Sequence, residues 1–511
     1  MNTVPSQLLS LSRREFLRAV GVAAGSGALV GCIGQSPFDV VDRSALVPTT
    51  VNDIHSQLNL TRVAVVLRPQ SESEVAAAVR NAIRRGEPVA VSGGRHAAGG
   101  QQFLRSGVLV DLTGLETELQ FNPQRGLITM SAGTFWPAVI AAVHAGNVRH
   151  GTNWAIHQKQ GGADAMSLGG AVSANVHGRC LDAGPIVQDI ESLRVVLADG
   201  RCVTVSRGEN GDLFHLIMGG YGLFAIVTRV MLRLVARRKL ALRVEARGVG
   251  EVIATLEQRR RAGAVHGDWQ FAIDRGSDEF LGHGFVTSYS PVGDDRPITR
   301  PQATVDTEAM IGLATLAHVQ PGRAFEVFAQ NWKQRDGQVD WSDSWQAGDY
   351  HPDYHSAVDA RLGSPVKGTE VLSEFYVARP ALEAFMRQCA SWLKTSHACL
   401  VYGVVRLIRR DTETFLNWAR EDQACVILNL HVDHTSDGIA AVKQQLHGVA
   451  QIAVELGGRF YLTYGRFADR AQLVTGYPQL REFLHLKRRH DPSEILQSDW
   501  YRSVKELLGE G

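Results

Sequence analysis

Ser92-Gly93-Gly94-Arg95-His96-Ala97-Ala98-Gly99-Gly100-Gln101 puts four glycines and a histidine into ten residues. Without Cβ atoms, successive amide N–H groups can converge on one anion, so such a loop after a strand can hold a pyrophosphate. It is not a Rossmann fingerprint, which needs G-x-G-x-x-G between the first strand and the helix, and it is not a Walker loop, because no Gly-Lys-Ser/Thr follows. Taken alone it reads equally well as a tight surface turn. A second stretch, Ser167-Leu168-Gly169-Gly170-Ala171-Val172-Ser173-Ala174-Asn175-Val176-His177-Gly178, carries too little side-chain volume to fill a core, which predicts something flat or extended packed on it. A third, Gly219-Gly220-Tyr221-Gly222-Leu223-Phe224-Ala225-Ile226-Val227-Thr228, repeats the pattern. Other chemistries find less support. None of the six cysteines forms a C-x-x-C pair, which argues against zinc or thioredoxin-like chemistry. In His431-Val432-Asp433-His434, alternation puts His431 and Asp433 on one face, but no third ligand accompanies them and no metal is expected.

The elements that must position these residues alternate strand and helix. Residues 62–67 read as a strand stopped by Pro69. Ser71 and Glu74 form a capping box, Val75, Val79, Ala82 and Ile83 recur at helical spacing, and Gly86 closes the helix. Residues 88–91 form a second strand that runs directly into the glycine loop. Strands are expected over 108–112, 127–133 and 190–197, the last turning at Asp199-Gly200 into 202–205.

The chain begins with a different signal. Ser12-Arg13-Arg14-Glu15-Phe16-Leu17-Arg18 resembles a twin-arginine export signal. The apolar run 19–31 is about half of the ~20 residues a membrane span requires. It ends Leu29-Val30-Gly31-Cys32, which resembles a lipobox. Export to the periplasm or cell envelope is expected, with a lipid on Cys32 as the sole membrane contact. Lys+Arg 53 against Asp+Glu 52 leaves +1, without the basic excess that phosphate-backbone binding demands, so no nucleic-acid partner is expected. With 44% hydrophobic and 21% charged residues the composition is globular.

The order and spacing of these motifs resemble the FAD-binding domain of the vanillyl-alcohol oxidase / p-cresol methylhydroxylase superfamily, in the style of aldonolactone and alditol oxidases and decaprenylphosphoryl-ribose oxidase. The resemblance covers about residues 60–234 and returns at Tyr477-Pro478-Gln479-Leu480 and His490-Asp491-Pro492. It implies an α+β fold: a two-subdomain FAD-binding domain (60–235) and an antiparallel-sheet substrate domain with flanking helices (236–456). A C-terminal segment (457–511) returns to the FAD domain, and a signal (1–32) and tether (33–59) precede it. It further implies that Ser92, Gly93, Gly94, Arg95 and His96 hold the FAD pyrophosphate through backbone donors. Ser167, Gly169, Gly170, Ser173 and His177 would run beside the diphosphate and flavin ring, Ile226 would meet the adenine through its backbone, and Tyr461 would return to the ring. Many members bond FAD covalently to a histidine in a Gly-x-Gly-His-Ser-type loop; His96 has the spacing, but Arg95 and Ala97 replace the flanking glycine and serine, so covalent and non-covalent binding both stay open.

Aldonolactone-type members carry a Glu-x-Arg pair on one strand of the substrate domain. Here Arg406 matches the arginine and Val404 stands at the glutamate, while a lysine found beside the flavin in decaprenylphosphoryl-ribose oxidase falls at Tyr464. Oxidation of a CH–OH donor needs a base for the hydroxyl proton and a cation where charge develops on the flavin. Tyr461, Tyr464, His177, Arg406 and His431 are the candidates. The leading expectation is an exported FAD-dependent oxidoreductase acting on a small CH–OH compound of sugar, aldonolactone or polyol type, with oxygen, a quinone or a protein as acceptor. A flavin-dependent C=C reductase or sugar epimerase partner, and a binding lipoprotein that retains FAD, stay as alternatives.

Overall fold

The computed structural model describes residues 48–161, 164–299, 307–346 and 354–510. The expected export motif, Cys32 and the first part of the tether lie outside the described residues. The rest of that tether is folded. Thr49–Val51 (β1) pairs antiparallel with Thr61–Val63 (β2), and Asp53 accepts hydrogen bonds from the amides of His55, Ser56 and Gln57. The strand expected over 62–67 is two: after β2 the chain enters Val65–Leu67 (β3), which changes partner and runs parallel to Val108–Asp111 (β5). Period-2 alternation cannot register such a change of neighbour.

Val89–Ser92 (β4) completes a three-stranded parallel sheet in the order β3-β5-β4. The helix Glu72–Arg85 crosses between β3 and β4, with the Ser71 hydroxyl accepting from the Glu74 amide and Gly86 closing it at φ +63°. A six-stranded antiparallel sheet follows. Leu119–Asn122 (β6), Leu127–Ser131 (β7), Trp154–Ile156 (β8), Ile190–Leu197 (β9), Cys202–Ser206 (β10) and Ala225–Ala236 (β11) lie in the order β10-β9-β11-β7-β6, with β8 beside β11. Gly200 at φ +80° makes the expected β9–β10 turn.

The second half builds one antiparallel sheet of eight strands. Lys239–Gly248 (β12), His266–Phe271 (β13), His283–Pro291 (β14), Val339–Trp341 (β15), Gly368–Ala378 (β16), Leu400–Ile408 (β17), Gln423–Asp433 (β18) and Arg459–Phe460 (β19) take the order β15-β12-β14-β13-β17-β18-β16-β19. The C-terminal segment therefore serves both halves: β19 edges the large sheet through Tyr376↔Arg459, and further on Leu496 bridges β4 at Val89. No helix among the described residues is long and apolar enough to cross a membrane. The five cysteines after Cys32 are free thiols.

Candidate active site

A cavity of about 430 Å³ runs from the glycine loop after β4 to the inner face of the large sheet. Its first wall is the loop 92–97. Gly93 and Gly94 lie flat against Ser167 and Ala165; a Cβ on either would collide with the Ser167 hydroxyl or the Ala165 carbonyl. Arg95 turns the chain at φ +58° and spends its guanidinium on Asp111 at 3.2 Å. Among the described residues the amides of Gly93, Gly94, Arg95 and Ala97 donate to no protein acceptor, and the buried Ser92 hydroxyl has no partner. A run of undirected amide donors on a glycine-rich loop suits an anion.

The second wall is the small-residue stretch, which forms a short helix, Leu168–Ala174, capped by Ser167 and ended by Asn175 at φ +50°. Its glycines allow close backbone approach: a Cβ at Gly169 would crowd Ala132. The turn at Asn175 sends His177 out of this domain and into the large sheet. There its Nε2 lies 2.9 Å from Glu374 Oε2.

Register explains what His177 meets. Strand β18 lies between β17 and β16, and residues directly opposite one another share a face. Arg406 aligns with Cys425 and Tyr376; Val404 aligns with Ile427 and Glu374; Tyr402 aligns with Asn429, beside Leu372. This face looks into the cavity. The Glu374 carboxylate is its hub. Oε2 also accepts from the Tyr376 hydroxyl at 2.8 Å, and Oε1 accepts from the Tyr464 hydroxyl at 3.0 Å. Burial pushes the Glu374 carboxyl up, but attraction to His177, the hydrogen bond from its ring, attraction to Arg406 and the Tyr376 hydroxyl outweigh it and hold it below the usual carboxylate value. Burial and the neighbouring carboxylate drive Tyr464 well above the ordinary tyrosine value, so it stays a neutral donor.

Arg406 is buried on the same face and has no hydrogen-bond or ion-pair partner among the described residues. An unpaired buried guanidinium is costly, and this one faces the cavity. The third wall is the returning segment. Thr463 accepts from the Ala98 amide at 3.0 Å and Leu462 accepts from the Gln101 side chain, so residues 460–464 are sewn to the glycine loop.

Residues 63–206 match a family described as FAD binding domain. The chain is 23% identical to L-gulono-1,4-lactone dehydrogenase of Mycobacterium tuberculosis over 452 residues, 86% of this chain and 96% of the relative. Shorter matches reach 30% identity with cytokinin dehydrogenase 7 of Oryza sativa over 190 residues (34% of this chain, 33% of the relative). D-lactate dehydrogenase of Archaeoglobus fulgidus is 29% identical over 177 residues (33% and 38%). Residues 63–206 are an FAD-binding domain of the kind FAD-linked oxidases carry. The chain is an FAD-dependent oxidoreductase.

The cavity fits that cofactor. The unengaged amides of Gly93, Gly94, Arg95 and Ala97 suit a pyrophosphate, and Gly169, Gly170 and Ser173 line the cavity beside them. Most expected residues converge here: Ser92, Gly93, Gly94, His96, Ser167, Gly169, Gly170, Ser173, His177, Arg406, Tyr461 and Tyr464 all line the cavity. Arg95 and Ile226 were expected to act through their backbones, and their side chains are turned elsewhere, to Asp111 and into the core, with Ala225 and Val227 lining the cavity beside Ile226. Two other expectations need adjustment. Tyr461 gives its hydroxyl to the Ala174 carbonyl and packs its ring against Tyr376, Trp418 and Tyr464, so it braces the site. His431 lies outside the cavity, against Asp433 and the ring of His318. The residue sequence reasoning passed over is Glu374. Its only signal was a carboxylate inside a largely apolar strand, which it shares with Glu370. His177, Glu374 and Cys425 would be close enough to share a metal, but two tyrosine hydroxyls and the His177 ring already occupy the carboxylate, so the cluster is a hydrogen-bond network.

Proposed function

We propose that the enzyme oxidises a CH–OH donor, with Tyr464 and Glu374 taking the hydroxyl proton. Bound FAD supplies the two-electron acceptor for the hydride of the carbinol carbon. The chain's residues do the rest. The donor's hydroxyl sits at the Tyr464 oxygen; as it gives up its proton, Tyr464 passes its own to Glu374 Oε1. His177 and Tyr376 hold the other carboxylate oxygen and so fix its orientation. Arg406 offers positive charge to the anionic edge that reaction creates, in a site dry enough for the charge to count. The observation that carries this reading is the cavity-facing pair of a hydrogen-bonded carboxylate and an unpaired guanidinium. The full-length likeness to a lactone dehydrogenase supports a donor that is sugar- or lactone-like at its reacting end.

Further parts of the proposal rest on separate features. His96 lines the cavity and burial, with repulsion from His55, lowers it to about 4; a neutral ring keeps the lone pair that a covalent bond to flavin requires. The Ser12–Arg18 motif and Cys32 support export by the twin-arginine route and lipid anchoring at the cell envelope. Purified yellow protein that bleaches anaerobically on addition of an alcohol is the expected result. Yellow protein that no alcohol bleaches would reject CH–OH oxidation.

A further inference from the structure

Beyond the reacting groups the cavity changes character. Its far wall is two helices of the substrate domain, Thr307–Val319 and Pro321–Lys333. They present Leu313, Ala317, Phe325 and Phe328, and the sheet adds Phe271 and Leu372. Most polar groups at this end bond one another, although Gln270 Oε1 and His318 Nε2 have no hydrogen-bond partner among the described residues. Glu370 accepts from the Tyr354 hydroxyl and the Asn429 amide, the Asn429 oxygen lies 3.4 Å from His55, and His318 Nδ1 bonds the Ala314 carbonyl. A free polyol carried into this region would leave several hydroxyls without partners, which a buried site tolerates poorly. An apolar chain or ring would lose nothing and would cover the exposed parts of Phe325 and Phe328.

We infer that the donor is amphiphilic: a carbinol at the Tyr464–Glu374 end, attached to an apolar body that lies along these two helices. The inference rests on the CH–OH reading for its orientation, but the apolar wall is a separate observation and can be tested separately. Tertiary alcohols serve as the probe, because their carbinol carbon has no hydrogen to give and binding is seen without turnover. The series 2-methyl-2-propanol, 2-methyl-2-hexanol and 2-methyl-2-decanol is titrated into the flavin-loaded enzyme, with the flavin absorption band and calorimetry as readouts. Kd is expected to fall about fourfold per added methylene, with a heat-capacity change that grows more negative along the series. Ala314→Glu, which puts a charge on the wall while keeping a good helix former, is expected to abolish the chain-length dependence and leave flavin content and melting temperature unchanged. Phe328→Leu is expected to keep it. Affinity independent of chain length, or polyols binding as tightly as alkanols of equal size, would overturn the inference. If primary alcohols bleach the flavin while tertiary alcohols show no chain-length dependence, CH–OH oxidation stands and the apolar site falls. If the dependence is present while no alcohol bleaches, the outcome is the reverse.

Discussion

Glu374→Gln is the most direct test of the chemistry. The substitution preserves shape, and the glutamine oxygen can still accept the Tyr464 hydroxyl now 3.0 Å away. What it removes is a place for the proton. General-base participation contributes about 10²–10⁴-fold, or roughly 2.7–5.5 kcal/mol of barrier, so the half-reaction of flavin reduction should slow by that factor in stopped-flow absorbance. Tyr464→Phe cuts the same relay at its other member. Because the two act in series, the double variant should be no slower than the worse single, a coupling energy nearly equal to one full effect. A purely structural carboxylate would show up differently, in lost flavin or a lowered melting temperature. The wild-type acid limb adds a second readout. Glu374 is held below the usual carboxylate value, so it stays ionised down to that point and reduction should not depend on it between pH 5 and 8. A Glu374→Gln enzyme within threefold of wild type, or additive losses in the double variant, would refute the relay.

Other outcomes follow from the same geometry. Gly94→Ala should yield largely colourless protein, because its Cβ meets the Ala165 carbonyl; Gly208→Ala, with open space around it, should keep a normal flavin-to-protein absorbance ratio. Acid precipitation of the holoprotein should leave flavin in the pellet, and His96→Ala should release it to the supernatant. Arg406→Met should slow flavin reduction about 10²–10³-fold, as loss of one charge-stabilising donor does elsewhere, with donor affinity changed much less. Burial lowers His96 to about 4 and His266 and His355 to about 3, each helped by neighbouring positive groups. Unfolded, these rings take protons near pH 6.5, so the unfolded chain binds more protons below that pH. Stability of the cofactor-free protein should be full above pH 6.5 and fall as pH drops toward 3, by as much as about 1.4 kcal/mol per unit per histidine; denaturant melts at fixed pH would reveal a flat profile if these rings were solvated.

Local signals carried the FAD half well. The Ser71 cap, the Gly86 stop and the Asp199-Gly200 turn are all decided within a few residues and each formed, although the Glu74 carboxylate accepts from the Gln70 amide rather than closing the expected capping box on Ser71. The glycine loops were legible because an absent Cβ is itself a sequence feature. What escaped required neighbours. Residues 62–67 look uniform along the chain, yet β2 and β3 pair with different strands. Tyr461 was placed near the cofactor by its motif, but side-chain direction follows from packing, and its hydroxyl is turned to Ala174. The segment 48–59 lacks periodicity because its order comes from Asp53 and Asn59 hydrogen bonds rather than from a repeating face.

Glu374 shows why the catalytic carboxylate was the hardest part to read. A Glu-x-Arg pair on one strand sets a carboxylate and a guanidinium on one face, two residues or roughly 6–7 Å apart. Here the arginine remains at 406 and valine holds 404. A carboxylate stands sideways of it instead: Val404, Ile427 and Glu374 form one row across β17, β18 and β16, so Glu374 lies two strands over, roughly 9–10 Å from position 404 but on the same face. Compared column by column along the chain, this site lacks its acid. Across the sheet it keeps one acid and one base partner on a single surface, which is all that proton removal beside a cation requires. The wider spacing has a consequence. A carboxylate that far from Arg406 leaves the guanidinium unpaired and so available to a developing negative charge, whereas a neighbour at two residues could neutralise it. Moving the acid back, with Val404→Glu in the Glu374→Gln background, should therefore restore proton transfer less completely than it restores local charge.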